Sequence, residues 1–478
     1  MIGRKDEMAI FSRLLESQKP ELVLITGRRR VGKTFLVREG LKQSICFEFV
    51  GTQQAELKNQ LDKFTKAIGH YFPGKGQYLK FTNWAGALEY LGNCIDGLRK
   101  SRKKIVIFFD EFPWIAHHKS NFTREFGYWW NSWASKKNVI VVISGSATSW
   151  MIKKIINDKG GLHNRVTRKI HLQPFTLQET QQFLKSKKIS HDPYQVMQLY
   201  MAVGGVPHYL EQVEAGESVS QSISRMCFSA NGALRDEFKN LYKALFESYE
   251  NYVLVVRALA KKWKGMTRQE IANSTKIADG GGLTKVLDDL ESCSFILKIR
   301  PIGKKSKDIL YRLIDEYSLF YLYFIEGSRA SNREGWLQKS GTQEAHIWQG
   351  YAFENLCMRH QEAIKSALGI SGIYSEVSSF YKKSSKQSKG FQIDMIIDRT
   401  DQAINLCEIK YYNKPVTIDK STATLLRTRR ENFREYTHTT KSLFNTLIAP
   451  YGIQANEHSN AQVDQVIKGD ALFELKRF

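Results

Sequence analysis

The segment Gly27-Arg28-Arg29-Arg30-Val31-Gly32-Lys33-Thr34 places two glycines, a lysine and a threonine at a spacing suited to holding phosphate. The glycines let the backbone bend tightly and aim N–H groups at phosphate oxygens, with Arg28, Arg29, Arg30 and Val31 supplying the rest of the cradle. A helix starting at the lysine adds the partial positive charge of its N-terminus. Lys33 can reach the β- and γ-phosphates of ATP, and the Thr34 hydroxyl can ligate Mg²⁺. The flanks fit a phosphate loop, since Leu22 to Thr26 reads as a buried strand entering it and Phe35 to Leu41 as the helix leaving it. A basic surface loop would not explain two glycines at this spacing.

A second apolar run, Ile105 to Phe109, ends in Asp110-Glu111. It has the form of a parallel strand buried on both faces, and acids at its carboxyl end project into the ligand crevice. Asp110 is the expected holder of the Mg²⁺ shell, and Glu111 the residue that orients or deprotonates the attacking water. Val139 to Ile143 forms another such strand, followed by Ser144-Gly145-Ser146. Ser144 and Ser146 are candidates for sensing the γ-phosphate, against the plainer reading of a turn. Arg165 is a candidate finger toward a neighbouring subunit's nucleotide, or equally an ordinary surface arginine. Trp129, Trp130 and Trp133 could stack on bases, but a helix packing its aromatic face onto the sheet is the favoured reading.

A different constellation lies in the last third. Phe391 to Asp398 reads as a strand carrying Asp394, Arg399 to Gln402 as a turn, and Ala403 to Tyr411 as the partner strand carrying Glu408 and Lys410. Strand residues alternate sides, so Glu408 and Lys410 share a face. Hard carboxylate oxygens there can bind Mg²⁺ or Mn²⁺, and the ammonium can stabilise charge on a scissile phosphate. Glu354, on a helix expected from His346 to Ile364, would be a further metal ligand beside Asp394 and Glu408. The plainer reading is a solvated strand face with a cross-strand ion pair.

Between these sites the chain reads as helical. Thr176 with Glu179, and Thr267 with Glu270, have the spacing of capping boxes. Gly204-Gly205-Val206-Pro207 sits where a helical lid would bring Pro207 over an adenine, or forms a simple inter-helix turn. Helices at Tyr252 to Lys261, Thr267 to Ala272 and Gly281 to Leu290 precede a hairpin of Phe295 to Pro301 and Ile309 to Leu313. That order is the pattern of a winged helix, with Thr284 and Lys285 early in the recognition helix and Lys304, Lys305 and Lys307 on the wing. Such modules dock DNA or proteins.

The 478 residues suffice for roughly three domains, and a hydrophobic fraction of 42% gives each a core. The net charge of +23 suggests a polyanionic partner, with nucleic acid (DNA) the expected one and an anionic membrane surface the weaker alternative. Six scattered cysteines without metal spacing read as reduced thiols. With no signal-like N-terminus and no membrane-length apolar run, a soluble, cytoplasmic protein is expected.

The ensemble resembles the prokaryotic, archaeal-type AAA/STAND-like ATPases, in which a P-loop core precedes a winged helix and a C-terminal PD-(D/E)XK nuclease-like domain. The matching residues are Gly27 to Thr34, Ile105 to Glu111, Ser144 to Ser146, Gly204 to Pro207, Tyr311 to Asp315, and Asp394 with Glu408 and Lys410. The resemblance implies an α/β multidomain fold: a parallel-sheet ATPase core at 1–170, a helical lid at 171–240, a winged helix at 241–335 and a restriction-endonuclease-like α/β domain at 340–478. It implies an ATPase acting on DNA that gates a Mg²⁺-dependent nuclease, or a non-cleaving, ATP-switched regulator that binds DNA or protein. A homo-oligomer is consistent with it. A substrate kinase is disfavoured, because nothing resembles an acceptor-binding lid.

Overall fold

Five segments of the first unit pair as parallel strands: β1 (Glu21–Thr26), β2 (Ile45–Val50), β3 (Ile105–Asp110), β4 (Val139–Gly145) and β5 (Arg168–His171). Their order is β2-β3-β4-β1-β5. Alternation along each strand divides the core into two faces. Leu22, Leu24, Ile107, Phe109, Val141 and Ile143 face one side, among Phe64, Trp84 and Phe126. Val23, Ile25, Val106, Phe108, Ile140 and Val142 face the other, against Phe11 and Leu36. Both faces are covered by helices, as an all-parallel sheet requires.

The computed structural model describes residues 1–75, 79–98, 104–116, 120–157, 160–246, 248–302, 308–328, 335–382 and 390–474. They divide into two compact units, Met1–Gln173 and Pro174–Phe478.

In the first unit helices extend over Lys5–Glu16 and Leu57–Tyr71. Trp129 and Trp130, on the helix Phe122–Ser132, are buried in the core. Trp133 stacks on Trp129 with ring centroids 5.2 Å apart. The helix Trp84–Asp96 is additional to the sequence expectations, and its cap Asn83 accepts a hydrogen bond from the Gly86 N–H.

In the second unit, capping boxes at Thr176/Glu179 and Thr267/Glu270 start the helices Leu177–Ser186 and Arg268–Thr275. Helices Tyr249–Ala260, Arg268–Thr275 and Gly281–Ser292 are followed by a small antiparallel sheet. It contains β6 (Met266–Thr267), β7 (Ile296–Ile299) and β8 (Leu310–Leu313), in the order β6-β8-β7. The wing lysines Lys304, Lys305 and Lys307 lie outside the described residues.

The larger sheet is mixed. It contains β9 (Ser375–Lys382), β10 (Phe391–Arg399), β11 (Ala403–Ile409), β13 (Ser442–Ala449) and β15 (Gln465–Lys468), and β12 (Val416–Thr417) pairs separately with β14 (Ile453–Gln454). β10 is antiparallel to β9 and β11, whereas β11, β13 and β15 run parallel. The helix Lys420–Thr437 makes the crossover from β11 to β13.

The second unit shares one continuous apolar core, in which Tyr200, Leu313, Phe320, Phe353 and Ile409 all take part. The single helix expected from His346 to Ile364 is corrected to two, Gln343–Arg359 and Gln361–Ala367. The break falls at His360 (φ −101°, ψ 28°), both of whose ring nitrogens are committed: Nδ1 to the Leu356 carbonyl at 2.9 Å and Nε2 to the Leu177 N–H at 3.1 Å. That second bond satisfies an orphan donor at the start of Leu177–Ser186.

Candidate functional sites

The loop between β1 and the helix Lys33–Gly40 winds through positive φ at Gly27 (144°), Arg30 (71°) and Gly32 (91°). A Cβ on Gly27 would lie 2.4 Å from the Leu172 carbonyl oxygen, so only glycine fits. The Lys33 ammonium turns back into the loop and donates to the carbonyls of Gly27 at 3.0 Å and Arg28 at 3.1 Å. Arg28 and Val31 are buried, and Arg29 and Arg30 are half-buried.

Sheet order explains how the remaining groups meet. Because β4 lies between β1 and β3, its end sits beside both the loop and the acids. Lys33 Nζ donates to Ser146 Oγ at 2.8 Å, and Ser146 Oγ donates to Glu111 Oε1 at 2.8 Å. Thr34 Oγ1 donates to Asp110 Oδ2 at 2.6 Å, and Ser144 donates to the other carboxylate oxygen. Glu111 leaves its strand with φ 47°, and its N–H donates to Asp110 at 3.0 Å. The structure thus gathers Lys33, Thr34, Asp110, Glu111, Ser144 and Ser146 into one network.

This site fits a nucleoside triphosphate with Mg²⁺. The lysine donors resting on loop carbonyls are the groups phosphate oxygens would take, and Thr34 with Asp110 are hard oxygen donors for the cation. Two neighbours have no signal in the sequence. Buried Arg4 donates to the Val31 carbonyl at 3.1 Å and braces the loop. His171 Nδ1 lies 3.0 Å from Thr26 Oγ1, and burial, then the Lys33 charge, lower its pKa. Arg165 is exposed. Pro207 opens the short helix Pro207–Leu210 of the second unit.

The second site lies on the large mixed sheet. The β9–β10 register shifts between Ile393 and Ile396, a bulge that falls on Asp394. Met395 pairs with Cys407, so Asp394 falls opposite Glu408. Asp394 accepts the Ile409 N–H at 3.0 Å and the Gln392 side-chain amide at 3.3 Å. Glu408 holds Lys410 at 2.8 Å and also pairs with Arg429 from the crossover helix. Glu354 pairs with the buried guanidinium of Arg312 on β8 at 3.3 Å.

Burial, and then the Asp394 charge, push the Glu354 carboxyl up to about 7. Burial and Glu408 raise Asp394 in the same way. Burial opposes the Lys410 charge, but Glu408 and Asp394 outweigh it and raise its pKa.

Of the expected metal set, Asp394 falls opposite Glu408, and its charge reaches Glu354. Among the described residues no three such side chains converge as a metal-ligand group. Glu354 pairs with Arg312, and Glu408 with Lys410 and Arg429, whereas Asp394 accepts from a backbone N–H and an amide side chain. Arg312 and Arg429 were absent from the sequence-derived site. An arginine-rich stretch, Arg427-Thr428-Arg429-Arg430, was the available signal.

Residues 1–213 match the family described as an ATPase domain predominantly from Archaea. The match runs past Gln173 through the helices Leu177–Ser186, Pro193–Val203 and Pro207–Leu210. An uncharacterized protein of Methanocaldococcus jannaschii is 25% identical over 338 residues, covering 70% of this chain and 71% of the relative. A Walker-type ATPase of Pyrococcus abyssi aligns over 67% of this chain and 96% of its own, at 16% identity and TM-score 0.46. The Aeropyrum pernix ORC2 protein, in ADPNP–ADP complexes, aligns over 71% and 96%, at 14% identity and TM-score 0.43. Residues 1–213 are thus similar to an archaeal-type ATPase domain, they contain a five-stranded parallel sheet, and the chain is an ATPase. Among the described residues no helix is long and apolar enough to cross a membrane.

Proposed function

We propose that this ATPase acts on DNA, and that nucleotide binding in the first unit governs how the second engages it. The observation that carries the catalytic part is the linked pair of networks Lys33–Ser146–Glu111 and Thr34–Asp110–Ser144. On this reading Lys33 exchanges its loop carbonyls for phosphate oxygens. Glu111 orients the attacking water and takes its proton on a carboxylate oxygen, held in place by Ser146. Thr34 and Asp110 hold Mg²⁺, which when bound supplies charge neutralisation at the phosphates. Ser146 reports nucleotide state to Glu111. Lys33→Ala should abolish nucleotide binding, and Glu111→Gln should keep binding while losing phosphate release. ATP turnover by Glu111→Gln at the wild-type rate would remove Glu111 from this role.

The DNA part is supported by the net charge of +23 and by the helices of 241–335 followed by a small sheet, the arrangement of a winged helix. In 340–478, Asp394, Glu408 and Lys410 supply the residue types of a PD-(D/E)XK nuclease, with Glu408 here paired to both Lys410 and Arg429. That pairing favours a second reading, in which the last segment binds DNA or a partner protein without cleaving. Linear, circular and single-stranded DNA should be assayed with Mg²⁺ or Mn²⁺, with and without ATP, with Asp394→Ala as control. Cleavage lost in the variant selects the nuclease, and absence of cleavage selects the binding regulator.

A further inference from the structure

The second unit has a cavity of about 350 Å³ on the side of the helix Tyr249–Ala260. Its aliphatic wall is Ala260, Leu319 and Leu322, and its aromatic wall is Trp263 and Tyr323. Trp263 is fixed from outside: it stacks on Tyr351 at 5.0 Å with planes 15° apart and lies 5.7 Å from Tyr323. Tyr323 is 39% exposed despite its contacts. The turn carrying Leu322 and Tyr323, Tyr321–Ile325, is π-helical, closed by the Glu326 N–H on the Tyr321 carbonyl at 2.8 Å. Such widened turns frequently mark functional positions.

The rim is polar and charged. Arg257 and Glu326 form a two-bond ion pair at 2.8 and 2.6 Å, which leaves that side neutral. Lys261 lines the cavity, is exposed, and pairs with no acid among the described residues. It opens the run Lys261-Lys262-Trp263-Lys264, an aromatic ring set among lysines. Lys262 is taken by Glu270 at 2.7 Å, and Lys264 lies 4.6 Å from the Tyr381 ring centroid. An aromatic face beside an unpaired ammonium is the combination that holds a stacked base and its phosphate. The volume lies at the low end of small-ligand sites, about 300–1,000 Å³, so it suits one ring system and not a longer ligand.

We propose that this cavity receives a single unpaired nucleobase of a DNA strand, its ring against Trp263 and Tyr323 and its phosphate at Lys261. The proposal rests on the reading that the chain acts on DNA. It makes the turn after Tyr249–Ala260 a single-strand contact, separate from any duplex contact of the helix Gly281–Ser292.

The test measures binding of the full chain to a labelled oligothymidine, to a duplex and to thymidine monophosphate. Trp263→Ala, Trp263→Phe and Lys261→Ala are compared with wild type. Trp263→Ala should weaken oligothymidine binding about ten-fold or more, with duplex binding unchanged, and Trp263→Phe should restore most of it. Lys261→Ala, an exposed change that leaves the aromatic packing intact, should lower the salt dependence by about one phosphate contact. Binding of the monophosphate as tightly as the strand would make the site one for free nucleotide and overturn the strand assignment. Wild-type single-strand affinity in both Trp263→Ala and Lys261→Ala would overturn the cavity while leaving the DNA reading standing. No binding of any DNA by wild type would remove both.

Discussion

The Lys33 ammonium donates to the Ser146 hydroxyl at 2.8 Å, and that hydroxyl donates in turn to Glu111. One small side chain therefore touches both the phosphate-binding lysine and the carboxylate assigned to water. Ser146→Ala should cut the ATP turnover rate roughly ten- to hundred-fold while changing ATP affinity much less. Steady-state phosphate release beside fluorescent-nucleotide binding reads the two effects separately. Equal loss in both would make Ser146 a binding residue.

The two loop glycines make different demands. Gly27 combines φ 144° with a Cβ position 2.4 Å from the Leu172 carbonyl oxygen, whereas Gly32 has φ 91° and open space around it. Gly27→Ala should cost about 1–3 kcal/mol of stability and distort the loop, and Gly32→Ala should cost less. Thermal melting of the two variants gives the order directly.

His360 supplies a pH dependence. Burial, opposed by the Leu356 carbonyl and reinforced by Arg359, lowers its pKa from 6.5 to about 4. Between those values the unfolded chain binds a proton that the folded chain refuses. Its neutral-state stabilisation is therefore fully present above about 6.5 and is lost as pH falls toward 4, by up to about 3 kcal/mol. Urea melts at pH 7 and pH 5 should show this loss, and His360→Gln should reduce the difference.

Removing a cation from the acid cluster should expose it to metal. Arg429→Gln releases one Glu408 oxygen, so Mn²⁺ binding without nucleotide should strengthen several-fold over wild type. Asp394→Ala in the same background should abolish the gain, read by Mn²⁺ electron paramagnetic resonance. Unchanged binding in Arg429→Gln would mean that Arg429 does not compete with metal.

Arg312→Ala tests the buried pair. It leaves Glu354 in a low-dielectric pocket without its guanidinium, which should cost about 3–5 kcal/mol. Arg312→Ala with Glu354→Gln should recover much of that loss in denaturant melts.

The ATPase half was legible in the sequence because its chemistry is local. Gly27 to Thr34 is contiguous, and unbroken apolar runs announce β1, β3 and β4. The helix Trp84–Asp96 has signals of its own, in Asn83 and the spacing of Trp84, Leu88, Leu91 and Ile95, although it was not among the expected elements. The acid cluster was legible only in part. Alternation put Glu408 and Lys410 on one face, but Arg429, which also pairs with Glu408, and Arg312, which pairs with Glu354, come from other elements. Sequence spacing carries no information about such long-range pairing. The break at His360 was hidden for the same reason, since its partner Leu177 is 183 positions away.

The core that runs unbroken from Tyr200 through Leu313 and Phe353 to Ile409 limits how this chain can be rearranged. A cut near residue 340 would strip cover from Trp348 and Phe353 on one side and Phe320 on the other, leaving both pieces sticky. The last segment is thus a poor candidate for exchange as a detachable cassette. Recombination that keeps the protein alive should move everything after Gln173 together, with crossovers selected against inside that unit.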